Sequence, residues 1–292
     1  MSARSNEDRL GVDPTLMGAQ EPPPPIPATE NSPPQLNFVV PTEFIELPSR
    51  GEFYPPNHPL HNQKNIEIRH MTAKDEDILT SPTLLKQGVA LDRMLQNIIV
   101  DSSIKVKELT IGDKNALLVA ARLHGYGAQY LTAVNCPSCG SKQDYTFDLN
   151  ALEMYNSFEE EMANYDVTRT ANNTFLLPLP KTEYTVELKL LTGHDEEKMN
   201  KRAKKRKKFN FMETNTTDQL KAIILSVNGV TDTSTIGQFI QTLPAIDSRY
   251  IRKIYQKVTP TINLSHDYTC SECGHEAEME VPFNTDFFWS NR

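Results

Sequence analysis

The sequence lacks the features that mark several large protein classes. No apolar run approaches the length of a membrane span, and the first residues lack the apolar core of a signal peptide. The charge balance is acidic, with a net charge of -8 and a pI of about 5.5. General nucleic-acid binders carry instead a basic surplus that neutralises phosphates. We therefore expect a protein of the reducing cytoplasm, or of an assembly built there, with no membrane span and without nucleic acid as its main partner.

Catalytic motifs are missing as well. There is no P-loop, no G-x-S-x-G and no Rossmann glycine signature. The histidines from His58 to His194 show no H-x-x-x-H or H-E-x-x-H spacing. The acidic residues 75–77 follow Thr72, and we interpret them as capping charges at the start of a helix. The sequence thus predicts no catalytic residue and no enzyme.

Cysteine is scarce, but its placement is informative. The four cysteines form two C-x-x-C-G motifs, Cys136 to Gly140 and Cys270 to Gly274, each flanked by alternating apolar and polar residues. This pattern is typical of zinc knuckles at the tips of β-hairpins, where glycine permits a positive φ. Because a single site would use all four thiols, we predict one structural Zn²⁺ bound by Cys136, Cys139, Cys270 and Cys273. Four thiolates leave no open position for substrate.

Other roles for the cysteines stay open. Two disulfides or four unrelated thiols would need no metal, but no signal peptide indicates an oxidising destination. A thioredoxin-like role would need a pair at a helix N-terminus, whereas strand-like sequence follows both pairs. His266 and His275 lie beside the second pair and offer alternative ligands.

The predicted fold class is α+β: a helical N-terminal part, a four-cysteine zinc ribbon formed by two distant hairpins, and an inserted strand-and-helix region. About 130 residues separate the two cysteine pairs, so the segment between them is interpreted as an insertion. The predicted regions are a disordered proline-rich arm (1–37), a wrapping and helical segment (38–128), the split ribbon (129–150 and 261–292) and the insertion (151–260).

Periodicity predicts the elements inside these regions. Strands are expected at 66–69, 175–179 and 184–191, with Pro178 placing the second of them at a sheet edge. Helices are expected after Thr72, after Pro82, and over 89–99, 111–127, 192–208, 217–227, 236–243 and 248–258.

Two stretches are candidates for partner binding. The run Lys201 to Lys208 is strongly basic, and within it Lys204, Lys205, Arg206, Lys207 and Lys208 could pair with an acidic partner or with nucleic acid. Alternatively, these cations simply favour the C-terminal end of a helix. Phe287, Phe288 and Trp289 either fold back as core or insert into a neighbour as anchors.

Motif order carries a resemblance. LPSRGEFY, then TAKDEDIL, then GDKNA precede the first CPSCG, and CSECGHEAEMEVPF with a closing DFFW follows. In this order the sequence resembles the T4-like bacteriophage baseplate protein family, which includes the baseplate hub assembly protein of gene 26. The resemblance covers about residues 44–289 and implies a contractile-tail baseplate or hub assembly component with no known catalytic residue. The proline-rich arm departs from the short family members.

The resemblance sets the functional expectation. We expect a structural or assembly protein in the virion tail baseplate, or in the host cytoplasm during assembly. Its partners would be other baseplate or hub proteins, or further copies of itself. The alternative hypothesis is a zinc-ribbon protein that binds nucleic acid or acts in transcription through Lys201 to Lys208.

Overall fold

The computed structural model describes residues 39–155, 158–208, 214–282 and 285–288. The predicted arm at 1–37 lies outside the described residues. The described chain is mixed α+β, as predicted, and its elements belong to the unit Val40–Arg292.

Nine α-helices occur in the described residues. They are α1 (Ala73–Thr80), α2 (Pro82–Gln87), α3 (Ala90–Ile98), α4 (Ile111–Tyr126), α5 (Phe158–Asn164), α6 (Gly193–Lys208), α7 (Asn215–Ile223), α8 (Thr233–Thr242) and α9 (Ala245–Val258). Short 3₁₀ helices span Val106–Glu108, Leu149–Ala151 and Thr285–Phe288.

The strands pair antiparallel in five small sheets. They are β1 (Thr42–Glu46), β2 (Asn65–Arg69), β3 (Gln129–Asn135), β4 (Lys142–Asp148), β5 (Met154–Tyr155), β6 (Thr168–Arg169), β7 (Phe175–Pro178), β8 (Thr185–Leu188), β9 (Ile224–Val227), β10 (Thr261–Ile262), β11 (Ser265–Thr269) and β12 (Glu276–Glu280). Four sheets are two-stranded, pairing β1 with β2, β3 with β4, β5 with β10, and β11 with β12. The fifth has the order β6-β7-β8-β9.

Two hydrophobic clusters fill the interior. The first, here the split core, combines residues between Leu47 and Leu149 with residues between Tyr268 and Phe288. The second, here the continuous core, takes its buried members from Val167 to Val258 only. The split core therefore depends on contacts between distant parts of the sequence. The continuous core takes its buried residues from one stretch, and the partly buried Phe53 packs against it from the early loop.

Local signals explain the helix starts in the first region. Thr72 precedes α1, and its amide and hydroxyl donate to the Asp75 carboxylate at 2.8 and 2.9 Å, so the predicted capping role of Asp75 is confirmed. Thr110 precedes α4 and accepts from the Asp113 amide.

Asp113 ties an early loop to α4. Its buried carboxylate accepts from the Ser49 amide at 2.9 Å, the Ser49 hydroxyl at 2.5 Å and the Tyr54 hydroxyl at 2.6 Å. Burial raises the pKa of Asp113, and the three donors oppose that effect. The LPSRGEFY and GDKNA motifs are thus two halves of one buried contact.

Two glycines next to this contact allow close approaches of the backbone. Gly51 has φ +74°, and a Cβ there would meet the Gln63 amide at 2.4 Å. At Gly112 a Cβ would meet the Pro260 carbonyl oxygen at 2.0 Å, so this glycine lets α4 approach the start of β10.

The structure corrects two sequence predictions in the second region. The helix predicted over 217–227 ends at Ile223, because Ile224–Val227 forms β9 and pairs with β8. An apolar run of that length fits a buried strand as well as a helix. Strand β7 lies inside its sheet, between β6 and β8, and not at the edge. Pro178 is tolerated there because β6 pairs only with Phe175 and Leu176 and does not extend to Pro178.

Candidate metal centre

Each cysteine pair lies in the turn of a hairpin, and the two turns are built alike. In the β3–β4 turn the Gly140 amide donates to the Cys136 carbonyl oxygen at 3.0 Å, and Gly140 has φ +72°. In the β11–β12 turn the Gly274 amide donates to the Cys270 carbonyl oxygen at 2.9 Å, and Gly274 has φ +67°. The predicted hairpins and their glycine-dependent turns are both present.

The two turns meet at their sulfurs. The Sγ atoms of Cys136 and Cys273 lie 3.8 Å apart, as do those of Cys139 and Cys270, and all four lie within 4.8 Å of one another. All four are free thiols, and these separations far exceed the bond length of about 2.05 Å in a disulfide. Thiolates around a tetrahedral zinc ion stand roughly 3.8 Å apart, given Zn–S bonds of about 2.3 Å. The cluster is compatible with a metal site.

The cluster lies between the split core and solvent. Cys136 and Cys270 are buried and belong to the split core, whereas Cys139 and Cys273 are exposed. An entering ion would therefore meet two exposed sulfurs first, and the buried pair would complete its coordination.

Electrostatics makes the four thiols interdependent. The pKa of the Cys270 thiol is lowered to about 5, mainly by a hydrogen bond from the Cys273 backbone amide. At Cys273 the amide of His275 favours the thiolate, but lost hydration and the adjoining thiols prevail and raise its pKa to about 12. Neighbouring thiolates repel, so all four ionise together only when a cation offsets their charge.

Polar contacts join the hairpins around the sulfurs. The Ser271 hydroxyl donates to Gln143 Oε1 at 2.5 Å, and the Gln143 amide group donates to the Tyr268 hydroxyl. The Tyr145 hydroxyl donates to the Asp267 carbonyl oxygen at 2.6 Å. These contacts fix the two turns relative to each other by means other than the sulfurs.

The neighbouring histidines stand outside the cluster. His266 Nδ1 lies 3.2 Å from the Tyr145 hydroxyl, and its ring packs edge-to-face on Phe147. His275 contributes its backbone carbonyl oxygen to the Cys270 amide at 2.9 Å. Among the described residues, the group of potential ligands at this point consists of the four cysteines.

The basic run forms the C-terminal half of α6, and part of it serves the fold. Arg206 pairs with Asp218, Lys204 donates to the Gln87 carbonyl oxygen at 2.9 Å, and Lys201 pairs with Glu197. Lys205 and Lys207 are exposed, and the side chain of Lys208 lies outside the described residues. Partner binding by this run stays a prediction.

Two of the three aromatic residues near the C-terminus lie among the described residues. Phe287 and Phe288 are each 1% exposed in the split core, and Phe287 packs edge-to-face on Tyr130 with ring centroids 5.0 Å apart. Their burial fits the interpretation of these two residues as core, and binding of a partner by them stays a prediction. Trp289 lies outside the described residues.

Sequence reasoning missed a second group of potential ligands. Glu43, His70 and His124 bring their side-chain ligand atoms within 4.8 Å of one another. The three residues lie on separate elements with no local spacing motif, and only their contact in the fold reveals them.

The fold defines a mixed α+β protein in which two remote hairpins meet at a cysteine cluster. The chain belongs to the family described as T4 bacteriophage base plate protein, whose model matches residues 43–289. No curated protein and no solved structure matches the chain.

Family membership confirms the resemblance found in the sequence and supports a structural role in the tail baseplate, with other phage proteins as partners. A family of structural proteins suggests a non-enzymatic role. Among the described residues, no helix combines the length and apolarity that crossing a membrane requires.

Proposed function

We propose that this protein is a structural or assembly component of the contractile-tail baseplate, in its hub or in hub assembly, and that a structural Zn²⁺ cross-links its two remote hairpins. Cys136, Cys139, Cys270 and Cys273 would bind the ion. The supporting observation is the convergence of four sulfurs from hairpins that lie far apart in sequence. Zn²⁺ bound there would cross-link the two hairpins. It would not catalyse a reaction, because four thiolates leave no coordination position for substrate.

Metal analysis of the purified full-length protein tests the zinc. We expect one firmly held Zn²⁺ per chain, lost in Cys136→Ser and in Cys273→Ser but retained in Ser138→Ala. Ser138 lies in the same turn with an exposed side chain, so its replacement controls for disturbance of the turn itself. Native protein that holds no metal, with all four thiols rapidly alkylated, would refute the proposal.

The proposed docking surface is the exposed basic part of α6, centred on Lys205 and Lys207. An exposed cationic stretch on an acidic chain is suited to an acidic protein surface, where charge complementarity speeds association. Among the described residues of this stretch there is no aromatic side chain that would stack on bases, so a protein partner is favoured over nucleic acid.

Pull-down from phage-infected cells tests this surface. The wild type should retain tail or hub proteins, and Lys205→Glu with Lys207→Glu should lose them while the melting temperature stays unchanged. Replacing the exposed Lys74 and Lys142 with Glu matches the change in charge away from α6. Salt-dependent DNA binding that is lost only in the α6 variant would favour the nucleic-acid alternative.

A further inference from the structure

A second cluster of potential metal ligands lies where three elements meet. Glu43 is on β1, His70 directly follows β2, and His124 is in the last turn of α4. The Glu43 carboxylate reaches both rings, with Oε1 3.2 Å from His70 Nε2 and Oε2 2.6 Å from His124 Nε2. The fold therefore brings two imidazole nitrogens and one carboxylate to a single point.

The backbone holds this arrangement in place. Pairing of β1 with β2 fixes Glu43, and the His70 amide extends that pairing by donating to the Pro41 carbonyl oxygen at 2.9 Å. The two imidazole rings stack with centroids 5.1 Å apart and planes 15° apart, and both Nε2 atoms lie beside the Glu43 carboxylate. The three side chains are presented from hydrogen-bonded elements and not from a loose loop.

The distances suit a small divalent ion. A tetrahedral ion with bonds of about 2.0 to 2.1 Å needs ligand atoms roughly 3.4 Å apart. The separations in the cluster range from 2.6 Å to at most 4.8 Å, so small rotations of partly exposed side chains would close the set around an ion. Imidazole nitrogen favours zinc and related transition metals over magnesium or calcium.

We propose that Glu43, His70 and His124 form a second divalent-metal site, distinct from the cysteine cluster. Its chemistry differs from that of the four thiols. Three protein ligands leave at least one position for water or for a group from a neighbouring protein. Side-chain exposures of 44% for Glu43, 31% for His70 and 23% for His124 place the site at the surface. The ion would therefore exchange readily, whereas an ion at the four thiols would be held firmly.

Cobalt binding to the full-length protein separates the two sites. Co²⁺ bound by thiolates gives an intense sulfur-to-metal charge-transfer band, whereas a site made of two imidazoles and a carboxylate gives only weak ligand-field bands. We expect the wild type to bind one equivalent of Co²⁺ that produces no thiolate band. Brief chelation should remove this equivalent, and Zn²⁺ should bind at the same site. Filling the cysteine cluster with one equivalent of Zn²⁺ before Co²⁺ is added should suppress the thiolate band and leave this equivalent in place. This comparison uses the wild-type chain, so the two metal proposals can fail independently.

Conservative variants assign the ligands. Glu43→Gln keeps the side-chain shape, and His70→Gln and His124→Gln keep a polar group that can hydrogen-bond. Each variant replaces a strong ligand and should lose the readily exchanged equivalent. His194→Ala removes an exposed histidine from the start of α6 and should bind as the wild type does. Unchanged melting temperatures without metal would show that the Gln variants are folded.

Two results would overturn the proposal. The first is a wild-type protein that binds no equivalent beyond the cysteine cluster, which would make the three residues an ion-paired group only. The second is retention of the exchangeable equivalent in all three Gln variants, which would place the ion elsewhere.

Discussion

The split core packs together residues from two distant parts of the sequence, whereas the continuous core takes its buried residues from one stretch. Both regions anchor a loop to a helix through a buried aspartate. Asp113 binds Ser49 and Tyr54 in the first region, and Asp247 accepts from the amides of Lys181 and Thr182 at 2.9 Å in the second. Only the split core joins hairpins from remote parts of the sequence, and there the cysteine cluster lies. Closing a long loop costs chain entropy, so a cross-link has most effect in that region.

Loss of the proposed Zn²⁺ should have the largest effect on stability and should separate the two regions. Because metal-binding energy is folding energy, Cys136→Ser should cost several kcal/mol, mostly in the split core. Hydrogen exchange would show this as lost protection at Tyr130 and Tyr268, with protection at Leu220 and Ile251 largely kept. Ser138→Ala serves as control. Equal loss of protection in both regions would mean that they unfold as one unit.

A cavity in the continuous core should produce the opposite pattern. Phe175 is fully buried and packs against Phe53 with ring centroids 5.6 Å apart. Phe175→Ala should lower the free energy of unfolding by about 4 kcal/mol, through lost burial and the cavity left behind. Urea unfolding measures the loss.

Metal analysis of the same variant decides whether the cysteine cluster depends on the continuous core. We expect metal content to be unchanged. Val230→Ala, at a position where the side chain is exposed, should change stability by less than about 0.5 kcal/mol. Loss of bound metal in Phe175→Ala would contradict the separation of the two regions.

Removal of Asp113, which anchors the early loop to α4 in the split core, should have the third-largest effect on stability. Asp113→Ala leaves the Ser49 and Tyr54 donors buried without an acceptor, so we expect a loss of about 3 kcal/mol in urea unfolding. Asp113→Asn should recover part of it, because its Oδ1 can still accept from the Ser49 amide, whereas its NH₂ group requires the Ser49 and Tyr54 hydroxyls to reorient as acceptors. Asp144→Ala, at an exposed position on β4, is the control. A loss below about 1 kcal/mol would show that the motif contact is dispensable for stability.

The sequence predicted what depends on local pattern. Cysteine spacing with a following glycine predicted both hairpin turns, and use of all four thiols predicted that the pairs converge. Thr72 with Asp75 predicted the start of α1. In each case the cause lies within a few residues, or within a cysteine count that the whole chain must satisfy.

Tertiary contacts decided what the sequence left open. Residues 224–227 became a strand because β8 offered an unpaired edge, and Phe287 became core because Tyr130 lay beside it. Glu43 met His70 and His124 through strand pairing and the packing of α4, which no spacing rule in one sequence encodes. The identity of Asp113 as the partner of Ser49 was equally hidden, although both residues lie in motifs that carried the family resemblance.

The smallest effect should come from Asp75, a second buried anchor of the split-core region, and it should depend on pH. Burial alone would raise the pKa of Asp75, but hydrogen bonds from Arg69, Thr72 and Asn97 outweigh burial and lower it to about 2. The unfolded value is about 3.9, so the carboxylate contributes about 2 kcal/mol above that pH. Asp75→Asn should lose this amount at pH 7, whereas the exposed Asp77→Asn should lose almost none.

The pH course distinguishes an ionised anchor from a merely well-packed one. A depressed pKa gives stability that is present above the unfolded pKa and lost as pH falls through the folded pKa. The difference in urea-unfolding free energy between wild type and Asp75→Asn should therefore persist from pH 7 to about pH 4 and close between about 4 and 2. Comparing the two proteins at each pH cancels the effect of acid on the proposed zinc site, which both proteins share. A difference that stays constant through this range would assign the contribution of Asp75 to packing and not to its charge.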